Sequence, residues 1–377
     1  MSDGLPPGHA DTWRFVEDNA GAWDIAGEIP RTVLSGLGAA GFLCAEVAKE
    51  HGGLGMLGQQ SGELTAYAGS LCSSVRSVMT SQGMAAWMVQ RLGTREQRAR
   101  FLPQLTGGRL AAVAFSEPEA GSDLGAMTAE LRFTGDTVVV DGHKTWITAA
   151  VYADLIVVVA KAGGDAAAVV VPADAEGVRI EKVPHPLGCR AAGHAHVRLD
   201  GVRVPAANVL GGTGLSLPFL ITTALSYGRM SVAWGCAGIL RGCLRAVTGH
   251  AKARRQFGKP IAEHQLVSRM VADLYAAEQV ATAVCRHAAE CWESGSPDQV
   301  IATVLAKHVS ATEAVRGTAS AVQIMASAGA SDGHVVARGY RDAKLMEIIE
   351  GSSEICRLEL ARHALAAGTG PVRREAQ

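Results

Sequence analysis

The chain has 377 residues, 48% of them hydrophobic and 19% charged, with a formal net charge of −1. That length allows roughly two or three packed domains, and a near-neutral charge gives no electrostatic reason to expect nucleic acid or an anionic membrane as partner. The apolar runs, such as Leu155 to Ala160, are far too short to span a bilayer, and the start MSDGLPPGHADTW lacks the basic and apolar stretches of a secretory signal, so a cytoplasmic protein is expected.

From about Thr12 to Leu105 the apolar spacing is helical. Ile29-Pro30 leads into Val33, Leu34, Leu37 and Phe42, with Gly36, Gly38 and Gly41 as breaks. A second helical run, Met79 to Arg100, is expected to give way at Phe101-Leu102-Pro103. Between them, Gly53-Leu-Gly55-Met-Leu-Gly58 fits the G-x-G-x-x-G string of dinucleotide sites. That string has meaning only directly after a strand. Here Ala45–His51 reads as a helix end, so a glycine-rich turn between helices is expected.

From about Ala111 to Gly211 the pattern changes to strands: Ala129–Phe133, Thr137–Asp141, Leu155–Ala160, Ala167–Val171 and His196–Val204. Asp141-Gly142 and Asp200-Gly201 read as hairpin turns. From about Ser216 the helical period returns. Helices, then strands, then helices is not the alternation of a parallel βαβ sheet and argues for separate layers. The expected domains are residues 1–110, 111–215 and 216–377.

The eight cysteines show no C-x-x-C spacing, so neither disulfides nor a cysteine zinc site is expected. His194-Ala-His196 has no accompanying ligand at a familiar spacing and reads as two surface histidines, with no metal.

Four longer stretches could carry chemistry. Ala114–Asp123, AFSEPEAGSD, is a loop whose backbone N–H groups and hydroxyls suit a polar ring edge or a phosphate, or simply a turn. Lys144-Thr-Trp146-Ile-Thr148 sets a large aromatic face beside a hydroxyl at a strand end, although a lone Trp is more often core. Arg254-Arg255-Gln256-Phe257-Gly258-Lys259-Pro260, followed by Glu263-His264-Gln265, could grip a pyrophosphate or merely close a helix with positive charge. Finally, Glu350 in Ile348-Ile349-Glu350-Gly351-Ser352-Ser353-Glu354 stands between apolar residues and a glycine. Desolvation there would raise its pKa and make it a better base near neutrality. Ser352 and Ser353 are N-cap candidates for the helix that follows.

Taken together and in this order, SEPEAGSD, WIT, RRQFGKP, AEHQ and IIEGSSEI resemble the acyl-CoA dehydrogenase family over most of the chain. The resemblance implies an α-helical N-terminal domain, a central β-domain and a C-terminal four-helix bundle, assembled as a homodimer or homotetramer. It implies FAD as cofactor, lined by Phe115, Ser116 and Ser122, with Trp146 and Thr148 against the flavin ring. Arg254, Gln256, His264, Gln265 and Gln323 match further FAD-contacting positions, some reaching a neighbouring subunit's cofactor, and Ser352 and Glu354 match positions beside it. Ser122, Ser226, Arg229 and Gly351 fall at substrate-binding positions. Glu350 would remove the substrate α-proton while the β-hydride passes to the flavin. Some relatives carry the base on an earlier helix, at the position that is Gly228 here, which leaves Glu350 as the candidate.

The departures concern the substrate. An acidic residue that helps hold the CoA adenine is Ser226 here, and a Ser after the Gly-x-Arg of the β-domain is Ala192. The Tyr before the base is Ile349, and a Gly-Gly pair after the Gln is Ala326-Ser327. The first two losses weaken a CoA adenosine site. They look like the relatives that act on acyl carrier protein-bound groups in polyketide extender-unit biosynthesis, hydroxymalonyl or methoxymalonyl. The alternatives are an ordinary short-chain acyl-CoA dehydrogenase, a flavin oxidase on the same scaffold, or a non-catalytic scaffold. An external electron acceptor is expected, with an electron-transfer flavoprotein as one candidate.

Overall fold

The computed structural model describes residues 9–367. The first eight residues, part of the segment read for a secretory signal, and residues 368–377 lie outside it.

Five helices come first: α1 (Ala10–Ala26), α2 (Arg31–Ala39), α3 (Gly58–Leu71), α4 (Ser73–Leu92) and α5 (Arg95–Thr106). The Ala45–His51 segment is not an α-helix end: it follows one 3₁₀ turn, Phe42–Cys44, and ends in another, Lys49–His51. The glycine-rich string then leads into α3, where a Cβ on Gly53 would lie 2.0 Å from the Val47 carbonyl oxygen. The run from Met79 does not reach Phe101 as one helix. It breaks at Gly93, because Thr94 and Gln97 form a reciprocal capping box that starts α5, and Pro103 lies inside that new helix.

The middle of the chain forms an eight-stranded sheet: β1 (Ala111–Ala114), β2 (Glu130–Thr134), β3 (Thr137–Ile147), β4 (Leu155–Ala162), β5 (Asp165–Pro172), β6 (Val178–Lys182), β7 (Ala195–Pro205) and β8 (Val209–Leu215). The order is β6-β7-β3-β2-β4-β5-β8, with β1 parallel to β4. β1, β6 and β8 have no counterpart in the strand reading, and β3 runs on to Ile147. The two Asp-Gly pairs are not hairpin turns. Asp141-Gly142 lies inside β3 and Asp200-Gly201 inside β7, and they face each other across a register break between Val140 and Gly142. Gly201 has φ 60, and its N–H donates to Asp141 Oδ1 at 2.7 Å. The left-handed glycine that a hairpin turn would use makes a β-bulge here.

The rest is helical. α6 (Leu217–Ala253) has 37 residues, and the short strands β9 (Arg255–Gln256) and β10 (Lys259–Pro260) form a hairpin after it. α7 (Gln265–Glu293), α8 (Gln299–Met325), α9 (Val335–Met346) and α10 (Ser353–Ala367) follow. α6, α7 and α8 pack around Leu240, Leu274, Ala277 and Ala314. The other end of α6 packs on α4 through Met84, Met88, Leu220 and Tyr227. α6 therefore joins the N-terminal helices to the bundle, and the loop between α9 and α10 comes back onto it. All eight cysteines are free, seven of them buried. Among the described residues no helix is long and apolar enough to cross a membrane.

Candidate active site

Glu350 lies in the loop between α9 and α10, held from three helices. Arg229 on α6 donates Nε to the Glu350 carbonyl at 3.1 Å. Its other two nitrogens bond both carboxylate oxygens of Glu359 on α10, at 3.0 and 2.8 Å. Lys307, buried on α8, donates Nζ to the carbonyls of Gly351 at 2.6 Å and Glu347 at 3.3 Å. The grip is tight enough to keep Glu350 at φ 56, unusual for a residue with a side chain.

The residue is part-buried, but its Oε2 is sealed from solvent and has no hydrogen-bond partner. Burial raises its pKa to about 7, against the lowering pull of Arg229, Lys307 and Arg76. The carboxylate stands over α6 at Gly228, where a Cβ would meet Oε2 at 2.3 Å and Met84 Sδ at 3.0 Å. A side chain at 228 and the carboxylate of Glu350 would occupy one space.

A second group lies where β3 meets the loop after β1. Lys144 on β3, wholly buried, donates to Phe115 O at 3.0 Å and to Glu117 Oε1 at 2.8 Å. Glu117 also accepts from Thr128 N and Oγ1, at 2.6 and 2.7 Å, and from Ala129 N at 3.0 Å. Burial pushes this carboxylate up, but Lys144 and Thr128 outweigh it and hold its pKa at about 2. The pair ties the Phe115–Ser116 loop to the strand carrying Trp146, and Thr145 N donates to Ser116 O at 2.8 Å. Trp146 has φ 56 and is 52% exposed. Its ring lies 6.0 Å from that of His194, whose Nδ1 is 3.3 Å from Thr148 Oγ1. His194 is not a surface residue. It is buried with Nε2 unpartnered, and burial lowers its pKa to about 4. His196, on the same face, meets Thr145 Oγ1 at 2.6 Å. Ser122 is exposed on the loop.

Elsewhere, the β9–β10 hairpin carries exposed Arg254 and Gln256, with Phe257 at its tip 95% exposed and at φ 49. His264 Nε2 lies 3.2 Å from Gln256 O, and Gln265 starts α7. Gln323 is exposed near the end of α8, before Ala326 at φ 49. Ala326 thus holds a left-handed backbone where the family resemblance has glycine. Among the described residues no hydrogen bond joins this hairpin group to Glu350 or Trp146. Ser352 Oγ accepts from Ile355 N at 3.4 Å, and Glu354 is exposed. Ser226 Oγ donates to Thr222 O at 2.7 Å, so its hydroxyl is turned into its own helix.

Among the described residues seven non-glycine residues have positive φ; three of them, Trp146, Phe257 and Glu350, fall in stretches that carry the resemblance, and Cys189 and Ala326 stand at or beside its departures. Backbone strain therefore falls both within the sequence signals and where the pattern departs from them. The sequence reading missed the Lys144–Glu117 pair, Lys307, Glu359, buried His194 and buried Arg76. The one signal for Lys307 and Arg76 is a lone cation inside a small or apolar helical run.

Three family models cover the chain: acyl-CoA dehydrogenase N-terminal domain over residues 13–109, middle domain over 112–202 and C-terminal domain over 219–365. A probable acyl-CoA dehydrogenase of Bacillus subtilis, YngJ, is 34% identical over 91% of this chain and 92% of its own. Glutaryl-CoA dehydrogenase of Desulfococcus multivorans is 31% identical over 91% and 90%. Among solved structures, FkbI, for biosynthesis of the methoxymalonyl extender unit of the Fk520 polyketide, is 61% identical over 95% of this chain and 99% of its own, with a TM-score of 0.91.

Proposed function

This chain belongs to the acyl-CoA dehydrogenase family, and from that premise we propose that it oxidises a small acyl group held as a thioester on an acyl carrier protein, in polyketide extender-unit biosynthesis. The supporting observation is Glu350, a carboxylate near neutral pKa with one buried, unpartnered oxygen over Gly228. A base with that pKa is half ionised at pH 7 and accepts a proton with little penalty. Arg229 and Lys307 spend their protons on backbone carbonyls and Glu359, so they position the base loop and leave the carboxylate free.

The residues fit FAD. A large half-exposed Trp146 and an almost fully exposed Phe257, both in strained backbone, are what a bound planar group and an assembled neighbour would cover. Phe115, Ser116, Ser122, Trp146 and Thr148 would line the ring. Arg254, Gln256, His264, Gln265 and Gln323, with Ser352 and Glu354, would hold the remainder, partly across a homodimer or homotetramer. When bound, FAD supplies the hydride acceptor. Electrons then leave to an external acceptor, for which an electron-transfer flavoprotein is the simplest choice.

The carrier-bound reading rests on Ser226 and Ala192 in place of polar CoA-side residues and on the similarity to FkbI. A malonyl group has no hydrogen left on its β-carbon, so the enzyme acts earlier, on an acyl group that still has one. The test is anaerobic flavin reduction by matched acyl groups on a carrier protein and on CoA. Reduction by the carrier-bound forms alone supports the reading, and equal reduction by both overturns its carrier half. Glu350→Gln should keep FAD bound and slow reduction by roughly 10²–10⁴-fold. Unchanged reduction would remove Glu350 from its role.

A further inference from the structure

Arg76 is wholly buried and guanidinium is always charged, yet its acceptors are poor. Nη1 donates to Thr80 Oγ1 at 3.2 Å, while Nη2 faces Met346 Sδ at 3.0 Å and Cys189 Sγ at 3.9 Å. Nε has no partner, and no carboxylate pairs with Arg76 among the described residues. The other cations of the site are treated differently: Arg229 has both oxygens of Glu359, Lys144 has Glu117, and Lys307 has two carbonyls. A buried charge without a counter-charge is costly, and the chain keeps one here.

Its place in the fold points to the occupant. Arg76, Thr80 and Met84 recur every four residues on one face of α4. Gly235, Ser231 and Gly228 answer them on α6. A Cβ on Gly235 would stand 2.7 Å from Arg76 Cδ, Thr80 and Ser231 share a 2.7 Å hydrogen bond, and Gly228 faces Met84 and the Glu350 carboxylate. One seam therefore runs from the base to the guanidinium. Hydroxyls pave it midway, unlike a slot made for a hydrocarbon tail. The guanidinium also faces Met346, four residues before Glu350, and is close enough to pull the pKa of Glu350 down.

We propose that Arg76 binds a free carboxylate carried by the substrate at the far end of its acyl group. The inference rests on the reading of the site as an acyl-thioester dehydrogenase. Guanidinium matches a carboxylate through parallel N–H donors, and Thr80 and Ser231 lie beside it to complete the cradle.

The experiment compares succinyl and glutaryl thioesters with butyryl on the flavin-loaded enzyme, for wild type, Arg76→Lys and Arg76→Met. The half-acids should reduce the flavin at least about 100-fold more efficiently than butyryl, and Arg76→Met should abolish that preference. Arg76→Lys keeps part of the effect, because a point charge replaces a planar fork. Independently of turnover, free succinate at constant ionic strength should raise the Tm of the wild type and not of Arg76→Met. The ligand-free Arg76→Met protein should melt no lower than wild type, since an unpaired buried charge has gone. A lower Tm for that variant, with succinate shift and preference both unaltered, makes Arg76 a structural residue and overturns the proposal. Failure of every thioester to reduce the flavin, with the succinate shift intact, overturns the dehydrogenase reading and leaves the carboxylate site standing.

Discussion

Two regions of this molecule bury charge, and they do it in opposite ways. Where β3 meets the loop after β1, Lys144 and Glu117 neutralise each other, and three further donors, two of them backbone N–H groups, satisfy the carboxylate. Along the α4–α6 seam, Glu350 Oε2 and Arg76 Nε have no partner. Desolvation acts on both pairs of charges, so the difference lies in what faces them. A satisfied buried pair fixes backbone, here the loop of Phe115 and the strand of Trp146. Unsatisfied groups hold free energy in reserve for something that arrives later.

The largest expected effect breaks the first region. Lys144→Met leaves Glu117 ionised, buried and without its cation, and should lower stability by about 3–5 kcal/mol, read as a lower urea midpoint with unchanged slope. Lys144→Met with Glu117→Leu should recover part of the loss, because the charge is gone but the N–H groups of Thr128 and Ala129 lose their acceptor. A single variant as stable as wild type would mean that the pair contributes no more than a surface bridge.

The next effect sharpens the second region and has the opposite sign. The folded-state pKa of Glu350, about 7, lies above its ordinary value of 4.5. The folded protein therefore binds its proton more tightly, and this group's contribution to stability falls as pH rises from 4.5 through 7. Glu350→Gln removes that dependence. The variant should match wild type near pH 4 and exceed it by about 3 kcal/mol at pH 8, since each pKa unit is worth 1.36 kcal/mol. Glu46 is also raised to about 7 by burial, but it is present in both proteins and cancels. Equal pH profiles for the two proteins would mean that Glu350 is solvated in the ligand-free state.

The contrast also explains what the sequence could and could not disclose. Helical and strand periods mark faces, so the three-part order and the long strands were legible. Turn chemistry was less so, because Asp-Gly supplies a left-handed glycine equally to a hairpin and to the bulge where β3 meets β7. The Glu350 environment was legible because its apolar flanks and following glycine are local. Arg76 was not. Nothing in the run Ser73-Ser-Val-Arg76-Ser-Val-Met79 says that Gly235 and Met346, more than a hundred residues away, will close over it. Nor could the Lys144–Glu117 pair be read, although both residues stood in quoted stretches, because pairing is a fact of register. His194 failed for the same reason: alternation marked its face and not what covers that face.

The smallest effect tests where the two kinds of region meet. Ser352 caps α10, which carries Glu359, the partner of Arg229, which in turn holds the Glu350 carbonyl. The same Ser352 stands at a position proposed to lie beside FAD. A cap and a cofactor contact respond differently to substitution. Glycine is nearly as good a cap as serine, costing a few tenths of a kcal/mol, whereas alanine costs about 1 kcal/mol. If Ser352 is only a cap, Ser352→Gly should leave both stability and FAD affinity close to wild type, and Ser352→Ala should lower stability alone. If its hydroxyl also touches FAD, both variants should bind FAD more weakly by a similar factor while differing in stability, which thermal melts with and without added FAD would separate. The 3.4 Å cap bond is long, so the stability change should fall at the low end of its range and any shared loss of affinity should stand out against it.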